Sequence, residues 1–171
     1  MTLDVRAKAE RGYYERLIVF EEDFRQADYF ANFLRKKGWH FDPWDTKIRS
    51  STYMQQAAFT SALVTAYCRP FAQSRGKPAL SVKKMARYNT QQKALHERLI
   101  TLRNEVYAHS EVAIRNVRPW TIGGEESAIV RFPALKLTRE EVEDAGGMIH
   151  LMLTAIRRQL QNLAPRVAPK T

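Results

Sequence analysis

Residues 90–110 read TQQKALHERLITLRNEVYAHS, and this stretch decides the fold class. It carries a narrow heptad stripe of apolar residues at alternating spacings of four and three: Leu95, Leu99, Leu102 and Val106. Such a stripe predicts an amphipathic helix that buries one side against a partner helix. We predict Thr90 as the N-cap, because its hydroxyl can accept a hydrogen bond from an amide of the first turn. The stretch therefore predicts a protein built from packed helices.

Three further segments have helical patterns. Residues 4–37 form a long amphipathic stripe that ends at Gly38, and residues 52–68 form a second helix that ends close to Pro70. Thr138 and Glu141 have the spacing of a capping box and begin a last helix that reaches about residue 163. The positions predicted to face the core are Tyr13, Leu17, Phe20, Phe24, Ala27, Ala31, Leu34, Phe59, Leu63, Ala66, Val142, Ala145, Ile149, Met152, Ile156 and Leu163. The fold class is therefore all-α, an up-and-down helical bundle of four main helices.

A segment of about residues 111–137 interrupts the helical pattern before the last helix. Weak alternation on both sides of GGEE, residues 123–126, predicts a small non-helical insertion in the form of a β-hairpin. Pro119 and Pro133 restrict any strands there to edge positions. We expect a frayed tail over about residues 164–171. Because 171 residues suffice for one hydrophobic core, we predict a single domain over residues 1–171.

The composition narrows the class of partner. The formal net charge is +10 at pH 7, and a charge of this size attracts polyanions, with a nucleic acid as the leading expectation. Cys68 is the only cysteine, which excludes an intrachain disulfide and a cysteine-based zinc site. No signal peptide and no apolar run of membrane-spanning length is evident. The expected location is the cytoplasm, with no membrane partner.

Most of the excess charge lies in one segment. From Arg69 to Arg103 the sequence has nine basic residues and one acidic residue, Glu97. A solvated surface with no specific partner is the simplest explanation of such a segment. The alternative is a surface that binds the phosphate backbone of RNA. The residues predicted to bind RNA are Lys83, Lys84, Arg87, Lys93 and Arg98.

Arg103 and His109 stand at the end of the predicted helix. On a helical wheel, Arg103 lies ~70° to one side of the apolar stripe and His109 ~50° to the other side. Two copies packed along the stripe could therefore bring both groups into one cleft. The alternative is structural: Arg103 pairs with Glu105 or Glu111, and His109 caps helix carbonyls. His96, one heptad before Arg103, either reaches the same cleft or is packed and hydrogen-bonded.

Motifs for metals and cofactors are weak. His40, Asp42 and Asp45 could be metal ligands, but they lie in a loop without ligand spacing. The glycine pairs at residues 123–124 and 146–147 match no phosphate-binding glycine motif. We therefore predict neither a metal nor a cofactor.

The sequence R-N-E-V-Y-A-H, from Arg103 to His109, resembles the signature of HEPN domains, in which an arginine, usually followed by a polar residue, precedes a histidine. Five residues intervene here, within the four to six typical of the family. The wording RNxVxAHS is particularly similar to the abortive-infection and toxin branch, and YCRPF at residues 67–71 is similar to a stretch of such proteins. The resemblance covers about residues 52–163 and leaves the hairpin region outside the family's minimal bundle.

The resemblance implies a metal-independent endoribonuclease that cleaves RNA by 2′-OH attack at the interface of a homodimer. It implies catalytic roles for Arg103, Asn104 and His109, with Arg103 on the phosphoryl oxygens and His109 as base or acid. The residue types suit this chemistry, which needs a group of near-neutral pKa and a fixed positive charge. Asn104 would orient the histidine or the phosphate.

One position departs from the family. Where a nucleotidyltransferase antitoxin modifies a tyrosine two positions after the histidine, this sequence has Glu111. That route of neutralisation is therefore in doubt, although a toxin or phage-defence role with an antitoxin protein remains the expectation. The runner-up function is a catalytically silent HEPN-like module that binds RNA, a nucleotide or a protein. A helical scaffold with a merely solvated basic surface is the third.

Overall fold

The structure, a computed structural model, describes residues 2–39, 50–72, 79–82, 88–104, 118–122, 124–129 and 137–167. Its helices are α1 (Thr2–Lys37), α2 (Ser50–Cys68), a short 3-10 helix (Arg69–Phe71), α3 (Thr90–Leu102) and α4 (Arg139–Val167). Two strands, β1 (Arg118–Ile122) and β2 (Glu125–Ile129), lie between α3 and α4. The predicted all-α bundle of four main helices is confirmed over these ranges.

The core lies between α1, α2 and α4, and α3 packs against α2 and α4. On α1, the stripe predicted from the sequence is buried at Leu17, Phe24, Ala27, Ala31 and Leu34. On α4, five of the six predicted positions are buried, and Leu163 is partly buried. Met148, Leu153 and Leu160 of α4 are buried as well. The apolar periodicity widens on α4 because this helix touches both α1 and α3, so more than one stripe faces neighbours.

The helix ends follow local rules. Gly38 ends α1 with a positive φ of 62°, and the Trp39 amide donates to the Leu34 carbonyl at 3.0 Å, a Schellman-type closure. At the start of α4, the Thr138 hydroxyl accepts from the Glu141 amide at 3.2 Å, and a Glu141 carboxylate oxygen accepts from the Thr138 amide at 2.8 Å. The predicted Gly38 stop and the predicted capping box are therefore both confirmed.

The N-cap of α3 is Asn89, not Thr90. The Asn89 side chain accepts a hydrogen bond from the Gln92 amide at 2.8 Å, and the Gln92 side chain accepts one from the Asn89 amide at 3.1 Å. Both residues are thus engaged in a reciprocal capping box, while Thr90 is the first helical residue. Asparagine is a better cap than threonine, and the N-x-x-Q spacing in the sequence already indicated it.

The insertion before α4 forms the predicted β-hairpin. Strands β1 and β2 pair antiparallel, with Ile122 opposite Glu125 at the turn and Arg118 opposite Ile129 at the open end. The turn lies between Ile122 and Glu125, and Gly124 has a φ of 87° that favours glycine. Pro119 lies in β1, and this is tolerated because each strand of a two-stranded sheet has a free edge.

The last helix is longer than the sequence pattern indicated. We expected fraying from about residue 164, but α4 continues to Val167 with Pro165 in its last turn. Pro165 has no amide hydrogen, so one intrahelical hydrogen bond is missing there, and only two residues of the helix follow it. The last turns also contact α1: Tyr13 donates to Gln159, and an Arg166 nitrogen lies 3.9 Å from a Glu10 oxygen. Residues 168–171 lie outside the described ranges.

Across the described ranges, none of the helices has both the length and the apolar content needed to cross a bilayer.

Candidate functional site

The apolar stripe of α3 is buried against other helices of the same chain at its three described positions. Leu95, Leu99 and Leu102 are 5%, 0% and 7% exposed, respectively, and belong to the core. The idea that two copies pack along this stripe is therefore wrong for these three positions, because the partner helices are α2 and α4 of the same molecule. Val106 lies outside the described residues. Any dimer has to use another face.

Arg103 and Asn104 lie at the C-terminal end of α3. The Arg103 amide donates to the carbonyls of Ile100 and Leu99, so the chain continues as a helix beyond Leu102. Arg103 and Asn104 belong to a π-helical turn. Turns of this type are frequent at functional sites, because they change the direction of side chains along a helix. The Arg103 Nη1 atom donates to the Asn104 Oδ1 atom at 3.0 Å. Adjacent positions of the motif thus contact each other directly.

The guanidinium of Arg103 has no carboxylate partner among the described residues. Its side chain is half-buried, whereas Asn104 is exposed. Glu105 and Glu111, the carboxylates expected in the structural alternative, lie outside the described ranges, as does His109. Within the described structure the charge of Arg103 is therefore available to an anion.

Cys68 lies behind Arg103. Its Sγ donates to the Leu99 carbonyl at 3.4 Å, and burial raises the pKa of the thiol to about 12, while the nearby Arg103 charge lowers it. The thiol is thus neutral and inert at physiological pH, because only a thiolate is nucleophilic. We conclude that the end of α2 gives the Arg103 side chain an apolar support on one side.

His96 is part of a buried aromatic cluster and does not face an open cleft. Its Nδ1 atom is hydrogen-bonded to the Tyr67 hydroxyl at 2.9 Å, and its ring lies 4.7 Å from the Phe71 ring between centroids. Tyr67 also lies 3.4 Å from the Tyr88 hydroxyl, which donates to the Met148 carbonyl at 3.5 Å. This chain of hydrogen bonds joins α2, α3 and α4. The packed alternative for His96 is therefore the correct one.

Burial controls the protonation of this cluster. It lowers the pKa of His96, against a smaller opposing effect of the Glu97 carboxylate, and it raises the pKa of Tyr88 to about 12. The pKa of Tyr67 is raised further, also mainly by burial. All three groups are consequently neutral near pH 7. The cluster stabilises the position of α3. In the sequence, the signal for it was that His96 lies one heptad before Arg103.

The YCRPF stretch, residues 67–71, is a structural joint. Arg69 Nη1 donates to an Asp23 oxygen at 3.3 Å and to the Gln26 side-chain oxygen at 3.1 Å, which ties the end of α2 to α1. The carbonyl of Pro70 accepts a hydrogen bond from the Leu80 amide at 2.8 Å. Tyr67 and Cys68 contact α3 as described above. The stretch therefore connects three parts of the chain around the base of the Arg103 site.

The residues predicted to bind RNA are placed unequally. Lys93 is exposed on α3, and Arg98 forms an ion pair with Glu141 of α4, so its charge is partly neutralised. Lys83, Lys84 and Arg87 lie outside the described residues. Of the predicted basic surface, Lys93 alone is thus described as an exposed cation.

The described residues contain no group of three or more histidine, cysteine or acidic side chains that could hold a metal ion. His40, Asp42 and Asp45 fall outside them. Comparisons of the chain with protein-family models, with curated proteins and with solved structures found no match.

Proposed function

We propose that the protein is a metal-independent endoribonuclease of HEPN type, with Arg103, Asn104 and His109 as its catalytic residues. The observation that carries the proposal is the state of Arg103: a half-buried guanidinium at the end of a bundle helix, hydrogen-bonded to Asn104 and without a carboxylate partner among the described residues. An arginine is suited to bind a phosphoryl oxygen, because its planar guanidinium presents several donors to an oxyanion.

The chemistry requires no group beyond these side chains and the RNA itself. The 2′-OH attacks the adjacent phosphorus, its proton passes to a base, and the departing 5′ oxygen receives a proton from an acid. A histidine such as His109 suits either role, because an unperturbed imidazole titrates near neutral pH. Arg103 stabilises the charge that develops on the phosphorane oxygens. The Asn104 oxygen keeps the guanidinium in place, and its amide nitrogen orients the phosphate or the histidine.

The support behind Arg103 favours the same function. Burial keeps the Cys68 thiol neutral, so the group of α2 near the Arg103 guanidinium is uncharged. A positive charge on such a support is screened less than one in open water, so its effect on a transferring phosphoryl group is larger. The site thus holds a cation of fixed position on a buried, uncharged surface.

The proposal includes a homodimer, because the resemblance to HEPN domains implies an active site at the interface of two copies. Since that stripe contacts α2 and α4 of the same chain, the two copies meet through the surface around the C-terminal end of α3. The expected setting is a cytoplasmic toxin or phage-defence component, held in check by an antitoxin protein.

An RNA cleavage assay in EDTA tests the function. The wild-type protein should produce fragments with 2′,3′-cyclic phosphate ends, and Arg103→Ala and His109→Ala should each lower the rate about 100-fold or more. Arg158→Ala and His150→Ala are the matched controls, because both residues are exposed on α4. Both controls should retain the wild-type rate.

The assay also separates the competing functions. RNA that is bound in a salt-dependent manner but stays intact would identify the catalytically silent module. Cleavage that depends on a divalent metal would contradict the proposal. A protein that neither binds nor cleaves RNA would leave only the scaffold function.

A further inference from the structure

A groove lies between the C-terminal end of α1 and the start of α4. Its first part, a hollow of about 310 Å³, has Leu34 and Val142 as its floor and is otherwise lined by Arg35, Lys36, Lys37, Trp39 and Arg139. Four of these side chains are cations, and among the described residues no acidic side chain lines this part. The volume is at the lower end of the range for small-molecule sites.

The three cations that α1 contributes to this hollow differ from three other arginines of the same helix, which lie beside glutamates. Arg6, Arg11 and Arg25 each lie beside a glutamate of the same helix. In contrast, Arg35 donates to the neutral Asn32 side chain at 2.8 Å, and the Lys37 ammonium lies 5.8 Å from the Phe33 ring. Among the described residues, no carboxylate forms an ion pair with Arg35, Lys36 or Lys37. The hollow therefore keeps most of its positive charge.

The placement of Arg139 adds to this excess. Basic residues at the end of α1 are favourable, because they face the negative end of a helix dipole. Arg139, however, is the first residue of α4, where the dipole is positive and a cation is unfavourable. Its only described partner is the largely exposed Glu143, at 3.1 Å. An anion bound between the two helix ends would offset the repulsion among these cations.

The groove continues along the two helices and changes character. The second part shares Arg35 and Val142 with the first and is lined also by Asp28, Asn32, Glu143 and Gly146. A Cβ atom on Gly146 would meet no atom within 4 Å, so the glycine leaves this part open. One end of the groove thus suits phosphoryl groups, and the other end offers acceptors for hydroxyl or amino groups.

We propose that this groove binds a small ligand that carries at least two phosphoryl groups at one end and hydroxyl or amino donors at the other. The phosphoryl groups lie among Arg35, Lys36, Lys37 and Arg139, and the donors contact Asp28 or Glu143. The site does not include Arg103, so the proposal is independent of RNA cleavage.

Calorimetric titration of the whole chain with ATP, tripolyphosphate and adenosine tests the proposal. ATP should bind more tightly than tripolyphosphate, because it occupies both parts, and adenosine should bind weakly. The double variant Lys36→Gln/Lys37→Gln should weaken ATP about tenfold to a hundredfold. Lys8→Gln/Arg11→Gln removes the same charge from the far end of α1 and should leave the affinity unchanged.

A second variant examines the uncharged part of the groove. Gly146→Leu fills this part with a side chain that α4 tolerates, so it should weaken ATP and leave tripolyphosphate unaffected. No binding of ATP at millimolar concentration would overturn the proposal, as would equal affinities for ATP and tripolyphosphate or equal losses in both double variants. Displacement of ATP by a short single-stranded RNA at the same phosphate concentration would assign the groove to an RNA backbone and would also overturn it.

Discussion

At the scale of single residues, His96 makes the stability of the protein depend on pH. The His96 ring packs against Tyr67, Phe71 and Tyr88, which are uncharged. The Glu97 carboxylate opposes the effect of burial on the pKa of His96. Burial lowers the pKa of His96 in the folded protein below its ordinary value of 6.5, so the unfolded state binds a proton first as the pH falls. The stabilising effect of neutral His96 is complete above that value and is lost as the pH falls below it.

Urea unfolding at pH 7.5 and pH 5 measures this effect. The free energy of unfolding should decrease towards the lower pH, and the decrease should be smaller in His96→Asn, which keeps a hydrogen-bonding side chain without the titration. His150→Asn is the control, because His150 is exposed on α4. An identical pH dependence in wild type and His96→Asn would contradict the role given to this ring.

Asn89 gives a second prediction for a single residue. Asn89→Ala removes a side chain that accepts from the Gln92 amide and so breaks the capping box of α3. We expect a loss of about 1 kcal/mol in the free energy of unfolding. Thr90→Ala, one position later, should cost little, because Thr90 is already helical. Chemical denaturation of both variants decides between the two residues, and an equal or larger loss in Thr90→Ala would reverse the assignment.

At the scale of elements, Gly38 and Gly146 have opposite effects on the stability of their helices. Gly146 lies inside α4 with open space around its Cα atom, whereas Gly38 ends α1 with a φ of 62°. Gly146→Ala should therefore stabilise the protein by about 0.5–1 kcal/mol, since alanine loses less backbone entropy in a helix. Gly38→Ala should destabilise it, because a side chain is strained at that φ. Thermal unfolding of the two variants should show melting temperatures shifted in opposite directions.

The elements also show which parts of the fold a sequence can predict. The C-terminal end of α1 and the start of α4 were predictable, because Gly38 and the Thr138–Glu141 pair act through local hydrogen bonds. The last turn of α4 was not, since proline propensity indicated an end while contacts with α1 through Arg166 and Gln159 keep the helix intact. The hairpin was predictable as an element, and its two-residue turn followed once the strand register was known.

For the candidate site around Arg103, the sequence indicated the residue types but not their contacts. Arg103 and Asn104 could be selected from the motif, but their mutual hydrogen bond and the support from Cys68 depend on how α2 and α3 cross. The cations of the groove between α1 and α4 come from residues 35–37 and from Arg139, about a hundred positions apart in the sequence. No local pattern joins such distant segments, because the packing of α1 on α4 brings them together.

At the scale of the whole molecule, the position of the α3 stripe determines how stability depends on concentration. Leu99 is fully buried in the core of its own chain, so Leu99→Ala should lower the free energy of unfolding by about 2–5 kcal/mol through lost contacts and a cavity. The loss should be the same at low and at high protein concentration, because the cavity forms within one chain. Arg157→Ala, on the surface of α4, should change stability by less than about 1 kcal/mol despite its pairing with Glu21.

Denaturation at two concentrations a hundredfold apart distinguishes this internal stripe from a stripe that joins two copies. If α3 contributed Leu99 to a partner chain, dilution would lower the stability of the wild type and the cost of Leu99→Ala would depend on concentration. A catalytic dimer formed around the C-terminal end of α3 predicts something different. Activity should fall on dilution as the copies separate, while each folded bundle and its Leu99 contacts persist.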